Sequence, residues 1–282
     1  MHQFRFDRFL TLHFFHPIAK RRRPQEGLKV PILMYHGIGG LQKKGSHPYY
    51  ETATSPEVFA AHMAFLKGNG YRVVGLNELA GIFSNPGCCI EKCVVVTFDD
   101  GLSDFITAAL PVLNRHSFPA TVFLPAGLMG RQVNGQACMT WDQVRESAAK
   151  GTTFGSHSLT HPKLTGLDAS GLEHEIRHSK ERIESELGQG IDSFSYPFAF
   201  PEQGGEFLKH YEAMLAACGY RSGVTTVIGA AAPADNRYFL KRLPVNAHDD
   251  IRFFKAKLEG GYDWLHAFQK VLKKAKRLAG AG

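Results

Sequence analysis

The sequence predicts an α/β fold in which parallel strands are wrapped by helices, and three observations carry this prediction. Short runs of β-branched and aromatic residues alternate at least six times with segments of helical periodicity. No change in composition and no Pro/Ser-rich linker interrupts the alternation, which indicates one domain with terminal extensions. Polar candidate residues follow directly after strands, and in parallel barrels that end of the strands carries the active site.

The helices are predicted from their start signals and the strands from their apolar runs. A helix is predicted to begin at Ser55, which supplies the cap. Pro56 suits the first helical position, and Glu57 places an acid near the positive end of the helix. Capping boxes at Thr140 and Ser170 begin two more. Helices are expected over 55–67, 76–83, 103–116, 140–150, 170–187 and 206–218. Strands are expected over 30–35, 73–74, 94–97, 120–124, 154–156, 194–196, 223–227 and 239–245.

The net charge of +7 for the 282 residues is concentrated at the two ends of the chain. Residues 1–29 carry a net charge of +5, and so do residues 266–282, which leaves about −3 for the body. The excess of basic residues therefore belongs to the two terminal extensions. It does not predict that the region between them binds nucleic acid. We predict a basic segment over 1–29, a catalytic domain over 30–258 and a basic amphipathic helix over 259–282.

Cysteine usage and the N-terminal segment favour a cytoplasmic protein. The five cysteines are an odd number without the spacing of a disulfide framework, which favours a reducing compartment. His13, His16 and Pro17 interrupt the apolar residues near the N-terminus, and the heaviest charge follows them, unlike a cleaved signal peptide. No apolar run approaches the roughly 20 residues that a membrane span needs.

Two adjacent carboxylates, Asp99 and Asp100, follow the apolar strand at 94–97, and Gly101 ends the run. Neighbouring residues of an extended segment point to opposite sides, so these two side chains cannot perform the same task. One carboxylate is suited to binding a metal ion, and the other is suited to proton transfer. The alternative is an ordinary Asp-Gly turn that ends a strand.

A second pattern places His157 and His161 four residues apart, directly before Pro162. The two rings converge on one metal ion if the segment forms a single helical turn, and the alternative is two surface histidines. Ser158 occupies the position that Glu takes in H-E-x-x-H proteases, so the segment is not such a site. Together with Asp100, the pair makes a set suited to zinc, with one position left for water.

Three motifs resemble those of the polysaccharide deacetylase family, also called the NodB-homology or carbohydrate esterase 4 family. They are Thr97-Phe98-Asp99-Asp100-Gly101, His157-Ser158-Leu159-Thr160-His161 and Tyr196-Pro197-Phe198. The segment Leu33-Met34-Tyr35-His36 is similar to the branch that deacetylates poly-N-acetylglucosamine and related exopolysaccharides. The resemblance covers about residues 30 to 250 and implies a distorted (β/α) barrel of the NodB-homology type.

The resemblance also implies a role for each motif residue. Asp100, His157 and His161 would hold one divalent ion, which we expect to be zinc, and Asp99 would be the general base. A backbone N–H near Tyr196 and Pro197 would help to hold the oxyanion.

The sequence departs from the family pattern in two places. Ser195 stands where the family carries an arginine that orients the base, and Arg242 is expected to approach Asp99 from a neighbouring strand instead. The alternative for Arg242 is a solvated or phosphate-facing side chain. The general acid is expected to be His36, with His248 as the alternative.

The leading functional hypothesis is metal-dependent removal of an N-acetyl or other N-acyl group from an amino sugar in a polysaccharide or glycan precursor. A deacylase or deformylase acting on a lipid-linked sugar is the second hypothesis, and an inactive glycan-binding barrel is the third. The intact set of Asp99, Asp100, His157 and His161 argues against the third.

The C-terminal segment carries an apolar stripe at helical spacing with basic residues around it. Such a helix is suited to an anionic membrane surface, and the alternative is a stripe that covers the barrel wall. The sequence therefore favours a cytoplasmic enzyme peripheral to the inner leaflet of the cell membrane. The stripe consists of Trp264, Leu265, Phe268, Val271, Leu272, Ala275 and Leu278, and the basic residues are Lys270, Lys273, Lys274, Lys276 and Arg277.

Overall fold

The computed structural model describes residues 5–22, 27–39, 48–85, 92–201 and 205–268. The strands in this part of the chain are β1 (Ile32–Tyr35), β2 (Arg72–Val74), β3 (Cys93–Phe98), β4 (Thr121–Leu124), β5 (Gln132–Val133), β6 (Gln136–Ala137), β7 (Thr153–Ser156), β8 (Ser193–Ser195), β9 (Ser222–Ile228) and β10 (Leu240–Pro244). Seven of them form a closed ring of parallel pairs in the order β1-β10-β9-β8-β7-β4-β3, because β3 also pairs with β1. Strand β2 pairs with the first half of β3. The predicted distorted (β/α) barrel is confirmed.

Helices follow most of the barrel strands and cover them from outside. They are α1 (Phe6–Leu10), α2 (His16–Arg22), α3 (Pro56–Gly68), α4 (Leu79–Ser84), α5 (Leu110–His116), α6 (Trp141–Ala149), α7 (Ala169–Leu187), α8 (Gly205–Ala217) and α9 (Ile251–Leu258). Ser55 and Thr140 cap α3 and α6 as the sequence predicts. The expected capping box at Ser170 is wrong, because Asp168 accepts the Gly171 N–H and α7 already begins at Ala169.

The alternation of side chains along β3 separates two layers of the core. Val94, Val96 and Phe98 join the large apolar cluster that also contains the buried faces of the helices. Cys93 and Val95 join a smaller cluster with apolar residues of β1, β4, β9 and β10. Since successive strand residues point to opposite faces, the second row continues through Thr97 to Asp99 inside the barrel. The strand pattern therefore places Asp99 at the carboxyl end of the barrel interior.

The N-terminal helix, defined as residues 6–22, consists of α1, a π-helical segment at Thr11–Phe15 and α2. It packs on the segment that follows α9, where the Tyr262 hydroxyl donates to Asp7 at 2.8 Å and the Trp264 indole donates to Thr11 at 3.0 Å. Residues 264–268 are helical. The rest of the predicted C-terminal stripe, with its basic residues, lies outside the described residues. The division at residues 29 and 258 stays a prediction.

Candidate active site at the carboxyl end of the barrel

Asp99 and Arg242 form a buried ion pair inside the barrel. The Arg242 guanidinium donates to both carboxylate oxygens of Asp99, with both distances at 2.7 Å. Arg242 is 0% exposed and Asp99 is 2% exposed. Such a bidentate contact fixes the orientation of the carboxylate, and it excludes the solvated position considered for Arg242.

Neighbouring groups occupy the remaining donors and acceptors of this pair. Ser195 Oγ donates to Asp99 at 3.2 Å and accepts from Arg242 at 3.0 Å, while Arg242 Nε donates to the Thr225 carbonyl at 2.9 Å. Burial alone would raise the pKa of Asp99, but the charge of Arg242 and the hydrogen bonds that it donates hold this pKa well below its usual range. The carboxylate is therefore ionised at neutral pH. Ser195 thus contacts both partners of the pair.

Asp100 turns away from Asp99 because the backbone changes conformation between them. Its φ is 70°, and Gly101 follows with a φ of 58°, so the chain leaves the strand through two left-handed residues. Six non-glycine residues have a positive φ in the part of the chain that the structure describes, and four of them, Asp100, Ser158, His161 and Phe198, belong to this site. Backbone strain of this kind is typical of functional sites.

Asp100, His157 and His161 converge on one point. Asp100 Oδ1 lies 3.5 Å from His157 Nε2 and 3.4 Å from His161 Nε2, and the three ligand atoms lie within 4.8 Å of one another. Ligands held at about 2.0–2.1 Å from a tetrahedral zinc ion are roughly 3.4 Å apart, so these distances fit such an ion. The set of two imidazoles and one carboxylate also fits zinc chemically.

The protonation of both imidazoles suits metal binding. His157 Nδ1 lies 2.8 Å from the Ser195 carbonyl, which only accepts, so Nδ1 carries the proton and Nε2 offers its lone pair. Burial lowers the pKa of His161 to about 4, against the opposing effect of Asp100. His161 is therefore neutral at neutral pH, which is the form that binds metal ions.

The segment from His157 to His161 is a tight loop and not the single helical turn that was considered as a way to bring the two rings together. Ser158 has a φ of 66° and His161 a φ of 58°, values that a right-handed helix does not contain. Local hydrogen bonds hold the loop instead, since Ser158 Oγ accepts the His161 N–H at 3.0 Å. The two rings still meet, with their centroids 4.8 Å apart.

Glu175 holds the same loop from α7, and the sequence analysis did not find it. Its carboxylate accepts the N–H groups of Leu159 and Thr160, both at 2.8 Å, and the Thr160 hydroxyl at 2.6 Å. The sequence did contain a signal for Glu175, because this residue falls on the buried face of α7. That face consists of Leu172, Glu175, Ile176, Ser179 and Ile183. An acid on a buried helical face needs a partner, and here the partner is the histidine loop.

The backbone donor expected near Tyr196 and Pro197 is not the Tyr196 N–H itself. The Tyr196 N–H donates to the Val224 carbonyl at 3.0 Å, so it is engaged in the sheet, and Pro197 has no N–H. The next N–H along the chain belongs to Phe198, which has a φ of 59°. The Phe198 ring lies 4.6 Å from the His161 ring. The first backbone N–H after Tyr196 therefore belongs to Phe198, a residue whose side chain contacts His161.

His36 and His248 occupy different surroundings. His36 directly follows β1, whose last residue, Tyr35, pairs with Phe98 of β3, so His36 and Asp99 leave neighbouring strands at the same end of the barrel. His248 lies in the loop after β10, where its N–H donates to Asn246 at 2.9 Å. His36 also lines a cavity of about 580 Å³, together with Arg5, Tyr49 and Tyr50.

The sequence is similar to known deacetylases. Residues 87–222 match the polysaccharide deacetylase family model. YxkH of Bacillus subtilis (strain 168), whose name assigns it to the polysaccharide deacetylases, is 31% identical over 224 residues, which cover 79% of this chain and 74% of that protein. The poly-beta-1,6-N-acetyl-D-glucosamine N-deacetylase of Escherichia coli (strain K12) is 33% identical over 121 residues, 36% of this chain and 18% of that protein.

A solved structure shows the same fold. The deacetylase PplD of Streptococcus pyogenes, determined in complex with acetate, superimposes with a TM-score of 0.71 at 25% sequence identity. The match covers 82% of this chain and 99% of that one.

Proposed function

This chain belongs to the polysaccharide deacetylase family, and from that premise we propose that it removes an N-acetyl group from an amino sugar of a glycan with the help of a divalent metal ion. One observation carries the proposal. A buried, ionised carboxylate, Asp99, adjoins a three-residue group suited to a metal at the same end of the barrel. A base beside a metal-binding group is the arrangement that amide hydrolysis needs.

In this proposal Asp100, His157 and His161 hold the ion, which we infer to be zinc from the mixed nitrogen and oxygen ligands. When bound, the ion polarises the acetamide carbonyl and favours ionisation of water. Ser195 orients His157 through its carbonyl, and Glu175 keeps the loop that presents both histidines in place.

The remaining residues move protons and hold charge. Asp99 takes a proton from the attacking water, with its orientation set by Arg242 and Ser195. We assign to the Phe198 N–H the donation of a hydrogen bond to the oxygen that becomes negatively charged as water adds to the carbonyl. His36 protonates the departing amine, because an amide nitrogen leaves poorly as an anion.

Acetate release from N-acetylglucosamine oligomers tests this function. We expect the purified chain to release acetate and expose one free amine per acetate, with β-1,4- and β-1,6-linked oligomers compared. Chelation should abolish the release and zinc should restore it. A protein that binds one zinc ion but releases neither acetate nor formate from N-acylated oligomers would instead be a glycan-binding barrel.

The choice of general acid is tested by two histidine variants. His36→Ala is expected to lower turnover by about 10²–10⁴-fold, the usual contribution of a general acid, whereas His248→Ala should change it far less. Initial rates of acetate release from the same oligomer measure both. The opposite ranking of the two variants would assign the acid to His248.

A lipid-linked amino sugar is the second candidate substrate, and one observation favours it. The cavity that contains His36 is also lined by Arg5. Arg5 directly precedes the N-terminal helix, and the first residue of that helix, Phe6, is 60% exposed. A substrate carried by a lipid would reach His36 along this apolar edge, and its acyl group would be acetyl or formyl.

A further inference from the structure

The N-terminal helix exposes a row of large apolar side chains. Eight such side chains are exposed in the described ranges, and four of them lie on this helix. We call this row the Phe ridge, and it consists of Phe6, Phe9, Phe14 and Ile18, which are 60%, 40%, 54% and 46% exposed. The rings of Phe9 and Phe14 are 6.1 Å apart, so the ridge is continuous at its centre. A contiguous apolar surface of this kind indicates an interaction site.

Buried contacts on the opposite face of the helix keep the Phe ridge turned outward. Asp7, Thr11 and Leu12 are buried there, and Asp7 accepts hydrogen bonds from Arg5 and Tyr262. Arg5 also donates to Asp249, which is 0% exposed. Rotating the helix to bury the phenylalanines would break these buried ion pairs. The exposure of the ridge is therefore a fixed property of the fold.

Exposed basic residues lie at the C-terminal end of the Phe ridge. Lys20 and Arg21 are exposed at the end of the same helix, and Arg21 lies three residues after Ile18, on the same helical face. Phe268, 49% exposed, adjoins the helix through Trp264, which stacks on Phe15 at 4.6 Å. Residues 269–282 then add five Lys/Arg and no acid to the sequence. The partner of this surface must be apolar and negatively charged.

We propose that the Phe ridge and the basic residues beside it dock this protein onto the surface of an anionic lipid bilayer. An amphipathic helix with aromatic residues on one face and cations beside them lies in the headgroup region in this way. A second copy of the chain would bring the same positive charge to the contact, so self-association through the ridge is disfavoured. Within the described residues no helix is long and apolar enough to span a bilayer.

Docking through the ridge would also orient the cavity. Arg5 lies at the wall of the cavity that contains His36, and Phe6 and Phe9 begin the ridge directly after it. The cavity would therefore open beside the lipid headgroups. This orientation rests on the proposed function, whereas the docking itself does not.

Co-sedimentation with vesicles tests the proposal. The full chain is expected to bind vesicles of equal parts phosphatidylglycerol and phosphatidylcholine, and binding should fall as salt rises. The double variant Phe9→Ser/Phe14→Ser should bind at least about tenfold more weakly, because two apolar side chains no longer enter the bilayer. Phe9→Trp/Phe14→Trp should restore binding and show a blue-shifted tryptophan emission on the vesicles.

Two matched variants distinguish the effect on vesicle binding of the basic residues beside the Phe ridge from the effect of the total charge of the protein. Lys20→Ser/Arg21→Ser should weaken vesicle binding, whereas Lys67→Ser/Lys209→Ser, which removes the same charge from exposed positions on α3 and α8, should not. All variants should release acetate from soluble oligomers at the wild-type rate, so a failure of docking is distinguishable from a failure of the proposed function. The proposal is overturned if the full chain stays in the supernatant at low salt. It is also overturned if Phe9→Ser/Phe14→Ser binds vesicles as the wild type does. A dimer of the wild type that dissociates when Phe9 and Phe14 are replaced would overturn it as well.

Discussion

Replacing Asp99 by Asn is expected to lower the turnover of acetate release by about 10²–10⁴-fold while leaving the zinc content unchanged. The amide retains the size of the carboxylate but cannot take a proton from water. The metal content should persist, because Asp99 is directed at Arg242 and Ser195, whereas Asp100 faces the two histidines. Acetate release and zinc analysis on the same preparation measure the two effects.

The matched variant is Asp100→Asn, which should lose zinc. Thermal unfolding serves as the control, because Asp99→Asn leaves the buried Arg242 without its counter-charge. Breaking a buried pair by removing one partner costs about 3–5 kcal/mol, so a lower melting temperature is expected and activity must be measured well below it. If Asp99→Asn releases the metal and Asp100→Asn keeps it, the two carboxylates have exchanged roles.

Replacing His157 and His161 together by Ala is expected to remove the zinc and reduce acetate release to background. Both rings supply ligand atoms to the same group, and Asp100 alone cannot hold the ion. Zinc content after dialysis and the rate of acetate release measure the result.

The chain offers a matched control on α7. His174 and His178 are also four residues apart, and their rings lie 4.6 Å apart on the exposed side of the helix. Their double replacement by Ala should change neither zinc content nor activity. Stoichiometric zinc in the His157→Ala/His161→Ala protein would contradict the ligand assignment.

Much of the fold was predictable because it depends on local patterns. The row of Val94, Val95 and Val96 predicted a buried strand, and Ser55 and Thr140 predicted two helix starts, since caps act over three or four residues. The approach of Arg242 to Asp99 was an expectation from the family resemblance. The structure brings the two together because their strands belong to one closed barrel.

One choice between two nearby residues and several contacts between distant segments could not be predicted from the sequence. Asp168 and Ser170 both suit a cap, and only the path of the chain selects the first. Glu175 reaches Leu159 and Thr160 across the gap between a helix and a loop, which no spacing rule encodes. A backbone N–H near Tyr196 and Pro197 was expected to hold an oxyanion, and the tertiary structure removes that of Tyr196 from the choice, because it donates to Val224 of strand β9.

By itself the sequence determined the residue types of the site, their order and their position after strands, because those follow from periodicity and from the chemistry of side chains. Only the tertiary structure decided how they face one another. Asp99 points to Arg242 and Asp100 to the histidines because the backbone becomes left-handed between them. The N-terminal helix shows the same division between sequence and tertiary structure. Its apolar and basic residues can be identified from the sequence alone. Its outward Phe ridge exists because Asp7 and Arg5 are buried against Tyr262 and Asp249, which lie more than 240 residues away along the chain.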